Sequence, residues 1–443
     1  MLQQMKAIAP QLESIVSPDG VCDWENIDAI QQQQVLEAIA PGSPPSCIVY
    51  PHTPAELAEV IACAHHNKWR VLPYGNGSKI SWGGLASGVD LVVSTKRLNS
   101  LIQHAVGDLT VTLEAGTKFT DLQATLASSR QFLALDPDNP ESATVGGIVA
   151  TASAGSLRQR YGGVRDHLLG ITFVRADGQI AKAGGRVVKN VAGYDLMKLF
   201  TGSYGTLGII TSMTFRVYPL PEASATVILT GVADAIAQAF TSQRSSALAP
   251  TAVDLLSTTL VTRLGIGQGL GLMTRFASMT ESVKQQSAAI LELGKQLGLQ
   301  GIIYESGDES DLWQKLQAQM RESATTEPLI TCKIGLVPSK AVATLNQLDS
   351  IAPQQLMSLI HAGSGSGLLR LETSADTAQL ISEMRSLFQT QGGFLTILEA
   401  PVTLKQNIDV WGYSGNSVDL MRRIKQQFDP QNILSPHRFV GGI

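Results

Sequence analysis

Apolar and polar positions along this chain fall into two textures, and the change comes between Pro221 and Ser224. Before it, short apolar runs alternate with helical patterns. Cys47–Tyr50 reads as a short strand. Thr53, Pro54 and Glu56 then supply an N-cap, a proline at the first helical position and the glutamate of a capping box. Leu57, Val60, Ile61 and Ala64 follow on one helical face, and "WRVLP" reads as the next strand. His65 and His66 sit where that helix ends, a position that suits a cation. "LTVTLEAGTKFTDLQATLA" repeats strand then helix, and "HLLGITFVRADGQIAKAGG" predicts a hairpin turning at Asp177–Gly178. Residues 1–44 read as a polar lead-in, a short helix and a loop.

After the change, runs such as "ATVILT", "GLMTRFA", "LITCKIGLV", "GLLRLET" and "FLTILEA" alternate with helical patterns. In one of these, Val283, Ile290, Leu293 and Leu297 share a face. The pattern predicts an α+β domain, an antiparallel sheet with helices on one side. The tail "DLMRRIKQQFDPQNILSPHRFVGGI" predicts an amphipathic helix stopped by Asp429–Pro430.

With 443 residues the chain is too long for one core. A net charge of −4 and the lack of a Lys/Arg run exclude nucleic acid as the main partner. No apolar run is long enough for a membrane helix, and the N-terminus carries no cationic and apolar signal pattern, so a cytoplasmic location is expected. Cys22, Cys47, Cys63 and Cys332 form no CxxC and no Cys/His metal spacing. The sequence thus provides for no iron–sulfur cluster of its own.

Three stretches carry the candidate chemistry. In "LPYGNGSK" a strand runs into a turn whose amides could cradle a pyrophosphate, though neither a Walker loop nor GxGxxG is present. In "LDPDNPESATVGGIVATASAGSLRQRYGGVRD", Thr144, Val145, Gly146 and Gly147 offer free amides and small side chains, and a small-residue run precedes Tyr161–Gly162. In "GGRVVKNVAGYDLMKLFTGSYGTLGII", Gly202, Gly205 and Gly208 recur every third residue, as a wall of bare backbone would. Lys189, Tyr194 and Asp195 are the polar side chains in it that stand as candidates to meet a ligand, each equally suited to a structural contact. A large ligand with a pyrophosphate and a flat ring would use all three stretches.

The order and wording of "PYGNGSK", "DPD…SATVGG" and "GSYGTLGIIT" resemble the FAD-binding PCMH-type domain of the vanillyl-alcohol-oxidase flavoproteins. The likeness covers about residues 45–220 and the tail. "GGRVVKNVAGYDLMKLFTGSYGTLG" and "FDPQNILSPHRFVGGI" look most like the shorter, second FAD-binding chain of the glycolate oxidase (glycolate dehydrogenase) complex. The resemblance implies an FAD-binding PCMH-type domain at 45–222, an α+β ferredoxin-like cap at 223–405, and a C-terminal segment, 406–443, that packs back on the FAD domain. FAD would lie between domain and cap. The cofactor residues it implies are Pro73, Tyr74, Gly75, Asn76, Gly77, Ser78, Lys79, Pro137, Thr144, Val145, Gly146, Gly147, Thr151, Ala154, Gly155, Tyr161, Gly208, Ile209, Ile210 and Arg438. No His or Cys stands in the 74–79 loop, so non-covalent FAD is expected.

The implied function is oxidation of a small 2-hydroxy acid, glycolate or D-lactate. Electrons would pass to a separate iron–sulfur subunit beside a sister FAD subunit, and any membrane association would come through a partner. Where relatives carry a motif like "HAGDGNLH", this chain has "HAGSGSGLL": the first His is His361, but Ser364 and Leu368 replace the acidic and second His positions. The relatives' later "GEHG" is missing, and Ala152 stands where they often have Asn. His361 is the candidate base. Arg370 is the candidate carboxylate holder, with an exposed strand residue as the alternative. A stand-alone dehydrogenase and a flavin-free scaffold are the competing readings.

Overall fold

The computed structural model describes residues 8–185, 193–321, 328–352, 355–374 and 376–443. They form two compact units. The first holds the chain up to Ala154, Gly163–Leu220 and Lys405–Ile443; the second holds Gly155–Gly162 and Pro221–Leu404. Gly155–Gly162, placed by the sequence in the FAD-binding domain, thus belongs to the second unit.

The first unit has two main sheets. One contains β1 (Val21–Asp23), β2 (Cys47–Val49), β3 (Val71–Tyr74) and β4 (Leu91–Ser94) in the order β1-β2-β4-β3. β2, β4 and β3 run parallel, and β1 pairs antiparallel at the edge. The helix Pro54–Asn67 makes the crossover from β2 to β3. Thr53 accepts from the Glu56 amide at 3.1 Å, and Lys68 ends the helix in the left-handed region at φ 57°. Leu57, Val60, Ile61 and Ala64 are its buried face, as the spacing predicts. Beyond the short helix and loop expected of the lead-in, β1 extends the sheet, and the helix Ile8–Val16 buries Leu12 and Val16 in the same core. The lead-in's polar composition hid this, because one buried face needs only a few apolar residues.

The second sheet is antiparallel: β5 (Leu101–Ala105), β6 (Thr110–Glu114), β8 (Leu168–Val174), β9 (Ile180–Gly184) and β10 (Ile209–Arg216), ordered β5-β6-β10-β8-β9. A two-residue pair, β7 (Gln131–Phe132) with β11 (Tyr218–Pro219), flanks it. The predicted β8–β9 hairpin is present. Gly178 sits there at φ 82°, where a Cβ would also meet the Ala58 carbonyl at 2.7 Å. The tail helix Val418–Phe428 stops at Asp429, and Leu434 bridges to Val71 of β3, which ties the tail to the first sheet.

The second unit is one antiparallel sheet of eight strands: β12 (Ala223–Gly231), β13 (Ala252–Leu256), β14 (Leu270–Ser278), β15 (Gln300–Glu305), β16 (Leu329–Gly335), β17 (Leu356–His361), β18 (Ser366–Glu372) and β19 (Phe394–Glu399). Their order is β15-β12-β14-β13-β17-β18-β16-β19. Helices cover both faces, not one. Ile228 packs with Leu260, Val261, Leu312 and Leu316 of the helices Thr258–Leu264 and Ser306–Gln319. Its neighbour Leu229 points the other way, onto Gly294 of the helix Thr280–Gln296. Successive strand residues face opposite sides, so the apolar run in β12 needs two covers. Among the described residues, no helix is long and apolar enough to cross a membrane.

Candidate cofactor cleft and catalytic pair

A cleft opens in the first unit at one end of both sheets. The carboxyl ends of β3 and β4 supply Pro73, Tyr74 and Thr95. Ala115 follows β6, and Gly208, Ile209 and Ile210 enter β10, the antiparallel neighbour of β6. The carboxyl ends of parallel strands are where open α/β sheets bind ligands. Gly75 to Ile80 form one wall, and Thr144, Gly146, Gly147, Ala150 and Thr151 another. Ser203, Tyr204, Gly205 and Arg438 complete it.

The 75–78 loop is held from behind. Ser94 Oγ donates to the Gly75 carbonyl at 3.2 Å, Asn76 Nδ2 to the Ser142 carbonyl at 3.1 Å, and Asn139 Nδ2 to the Ser78 carbonyl at 3.4 Å. The Tyr74 hydroxyl donates to Gln34 at 2.6 Å, and burial pushes its phenol up to about 12. Thr144 caps the helix Val145–Thr151 by accepting from the Gly147 amide at 3.3 Å. These bonds fix the loops in advance, so a ligand need not order them.

Charge in the cleft is one-sided. Lys79 and Arg438 line it, both buried, and among the described residues no carboxylate does. Arg438 Nη2 donates to the carbonyls of Ile80 and, at 2.9 Å, Trp82, while its Nη1 is buried without a hydrogen-bond partner among the described residues. Burial pushes the guanidinium down to about 10, with the Tyr204 phenol opposing. Burial also pushes the Tyr204 phenol up. A buried cation with an unmet donor fits an anionic ligand. FAD brings two phosphates and flat apolar rings, so the residues present fit it.

Of the residues the sequence singled out, the cleft brings together Pro73 to Lys79, Thr144, Gly146, Gly147, Thr151, Gly208, Ile209, Ile210 and Arg438. Five do not line it. Val145 is fully buried in the core of the second sheet, because it follows the cap on the inward face of its helix. Ala154 packs against the same core, and Pro137 is buried outside the cleft. Gly155 and Tyr161 belong to the second unit. Tyr194 is 87% exposed, and Asp195 pairs with Lys198 at 2.8 Å, both local surface roles; Lys189 lies outside the described residues. Gly205, read from the sequence as part of a glycine wall, does line the cleft, while the sequence missed Ile80, Thr95, Ala115, Ala150, Ser203 and Tyr204. The block "GSYG" held a signal for Ser203 and Tyr204; single residues after a strand carry none.

The repeated glycines are not one wall. Gly202 and Gly205 take positive φ (81° and 73°), which turns require. Gly208 instead lets β10 approach, since a Cβ there would meet the Val174 carbonyl at 2.9 Å. Ala152 ends the helix Val145–Thr151 in the left-handed region at φ 51°. Asn tolerates that conformation better than Ala.

In the second unit, His361 and Asp254 stand opposite each other on β17 and β13. His361 Nδ1 lies 2.8 Å from Asp254 Oδ1 and 3.4 Å from the Ser156 hydroxyl. All three residues are buried, Asp254 completely. Arg370 is 3% exposed on β18, so it is no exposed strand residue. It pairs with Met357 of β17, four positions before His361, which puts Arg370 and His361 on one face of the sheet.

This cleft and the fold around it define an FAD-dependent oxidoreductase. Residues 45–184 match the FAD binding domain family, and FAD is the cofactor. The chain is 25% identical over 460 residues to glycolate oxidase subunit GlcD of Bacillus subtilis, covering 97% of this chain and 96% of that one. It is 37% identical over 169 residues to glycolate oxidase subunit GlcE of Escherichia coli, covering 38% of this chain and 48% of that one. Among solved structures it shares the fold of p-cresol methylhydroxylase, with TM-score 0.75 and 16% identity over 99% of this chain and 97% of that one.

Proposed function

We propose that this chain is the FAD-binding subunit of a multi-subunit dehydrogenase of small 2-hydroxy acids, glycolate or D-lactate. It would bind FAD without a covalent link and send electrons toward an iron–sulfur partner beside a sister FAD subunit. The observation that carries the reading is the one-sided cleft: two buried cations, no carboxylate among the described residues, and glycine loops held from behind. Likeness to glycolate oxidase subunits GlcD and GlcE supports the substrate class and the sister subunit.

Arg438 and Lys79 would face the pyrophosphate, with Thr144, Gly146 and Gly147 beside it. Bound FAD supplies a two-electron acceptor for the hydride at C2 of the substrate. The hydroxyl proton must go to a base, and His361 is the residue assigned that role; the product is the 2-oxo acid. Arg370, a buried cation on the same sheet face, would hold the substrate carboxylate. A stand-alone dehydrogenase is the second reading, favoured by the intact buried His361–Asp254 pair.

The test is a visible spectrum of the purified chain, anaerobic, before and after glycolate and then D-lactate. The expected result is acid-releasable FAD with a flavin band that bleaches on one of the two acids. A chain that takes up no FAD on soaking overturns the reading. Co-purification with a cluster-bearing protein separates the multi-subunit reading from the stand-alone enzyme.

A further inference from the structure

A carboxylate in the middle of an apolar strand is costly unless it is paired. Asp254 is such a case: it sits in "AVDLL", all five residues of β13 are buried, and Asp254 itself is 0% exposed. Its Oδ1 meets His361 Nδ1 at 2.8 Å, and its Oδ2 is buried with no hydrogen-bond partner among the described residues. Its negative charge is therefore concentrated on the imidazole.

We infer that Asp254 is the positioning residue for His361, holding the ring in the Nδ1–H tautomer and stabilising the imidazolium that forms when Nε2 takes the substrate's hydroxyl proton. This rests on the reading of His361 as the base. The geometry selects the tautomer: the atom facing a carboxylate at 2.8 Å must be the protonated nitrogen, so the lone pair is left on Nε2. The cross-strand register makes the pair rigid, because β13 and β17 hold the two residues directly opposite each other. Ser156, from the Gly155–Gly162 segment of the same unit, brings its hydroxyl to 3.4 Å from Nδ1 and closes that side of the ring.

Among the described residues, the charged groups on the elements packed around the ring are few. On β18, the residue opposite His361 is the neutral Ser366, and Arg370 lies four positions further on. The helix Arg158–Tyr161 packs against β13 and carries Arg158 and Arg160, both exposed. Among the described residues, Asp254 is the carboxylate at hydrogen-bond distance. A missing second and third histidine therefore need not leave His361 a poor base, since a buried carboxylate can raise its proton affinity instead.

The experiment uses the FAD-loaded chain with ring-¹⁵N-labelled histidine, followed by NMR across pH, with His361→Gln identifying the resonance among seven histidines. The wild type is expected to show the Nδ1–H tautomer at His361. Asp254→Asn, nearly isosteric, is expected to lower the protonation midpoint of His361 by about 1 pH unit or more. Its kcat for hydroxy-acid oxidation should fall about 100-fold with KM changed less than about threefold, and the acid limb of the kcat profile should move to lower pH. Ser156→Ala should give a smaller change in the same direction. An Nε2–H tautomer in the wild type overturns the inference without any variant. So does a His361 titration that Asp254→Asn leaves in place. If the wild-type flavin is not reduced by any 2-hydroxy acid, the functional reading and the abstraction step fall together, while the NMR titration still decides whether Asp254 governs His361.

Discussion

At the scale of single residues, Arg438 does two things at once. Its Nη2 ties the Ile80 and Trp82 carbonyls, and its Nη1, buried without a hydrogen-bond partner among the described residues, is the donor we propose meets a ligand. A charge-assisted hydrogen bond contributes about 1.5–3 kcal/mol, which corresponds to roughly 10- to 150-fold in affinity. Arg438→Met is therefore expected to weaken FAD binding by that factor, measured by titrating the apo chain and following flavin fluorescence. Arg438→Lys, which keeps the charge, should recover most of the loss. A Kd within twofold of wild type for Arg438→Met would remove Arg438 from the cofactor site. The sequence made this residue visible only through its place in the "SPHRF" tail, since nothing in the tail's composition signals that an arginine there is buried. Asp254 was legible in principle, as a lone acid in an apolar strand, but its partner stands 107 positions away and only the register joins them.

At the scale of elements, the tail helix Val418–Phe428 is fixed by one buried cation. Lys425 Nζ donates to the Thr206 carbonyl at 2.8 Å, the Leu434 carbonyl at 2.8 Å and Asp429 Oδ2 at 2.6 Å. Asp429 in turn accepts from the Ile433 and Leu434 amides. One ammonium thus joins the tail to the turn that presents Ser203, Tyr204 and Gly205 to the cleft. Burial pushes Lys425 below its ordinary range, with Asp429 opposing. The folded chain then releases this proton before the unfolded chain does. Between the two midpoints the unfolded state binds more protons, so this group's contribution to stability rises with pH there, and below the folded midpoint its cost is constant. Breaking a buried pair on one side costs about 3–5 kcal/mol. Lys425→Met is expected to lower the unfolding free energy by about that much in a denaturant titration, and to flatten the alkaline rise. A change under about 0.5 kcal/mol, the range of an ordinary surface substitution, would show that the clamp is dispensable.

Element types were largely legible, because N-caps, turn residues and apolar spacing are local. The helix Pro54–Asn67 and the β8–β9 hairpin stand where the pattern put them. Faces were less legible. In the helix Thr280–Gln296 the buried positions are Val283, Ser287, Ile290 and Gly294, while Leu293 and Leu297 are only partly buried. Gly294 is inside because Leu229 of β12 fills the space a side chain would take. Packing of that kind depends on a distant strand and leaves no trace in the helix's own spacing.

At the scale of the whole molecule, the cleft is an assembly of segments that the chain keeps far apart. Residues 73–80, 144–151 and 203–210 and Arg438 meet only because β3 and β6 end where the antiparallel β10 begins and the tail returns to β3. Each loop alone carries a weak signal, and their common order makes the set specific, yet which residue of each loop reaches the cleft depends on register. If one ligand spans these walls, adding FAD must slow amide hydrogen exchange in all of them together, although they are separated by up to hundreds of residues. The expected result by mass spectrometry is protection in peptides covering 73–80, 144–151, 203–210 and the segment around Arg438, growing with FAD concentration along a single binding curve. Linkage requires that coincidence, since a ligand stabilises by RT ln(1 + [L]/Kd) whatever it touches in the native state. Protection confined to one loop, or separate curves for different loops, would mean that the cleft is not occupied as one site, and the residues assigned to FAD would have to be divided among different ligands.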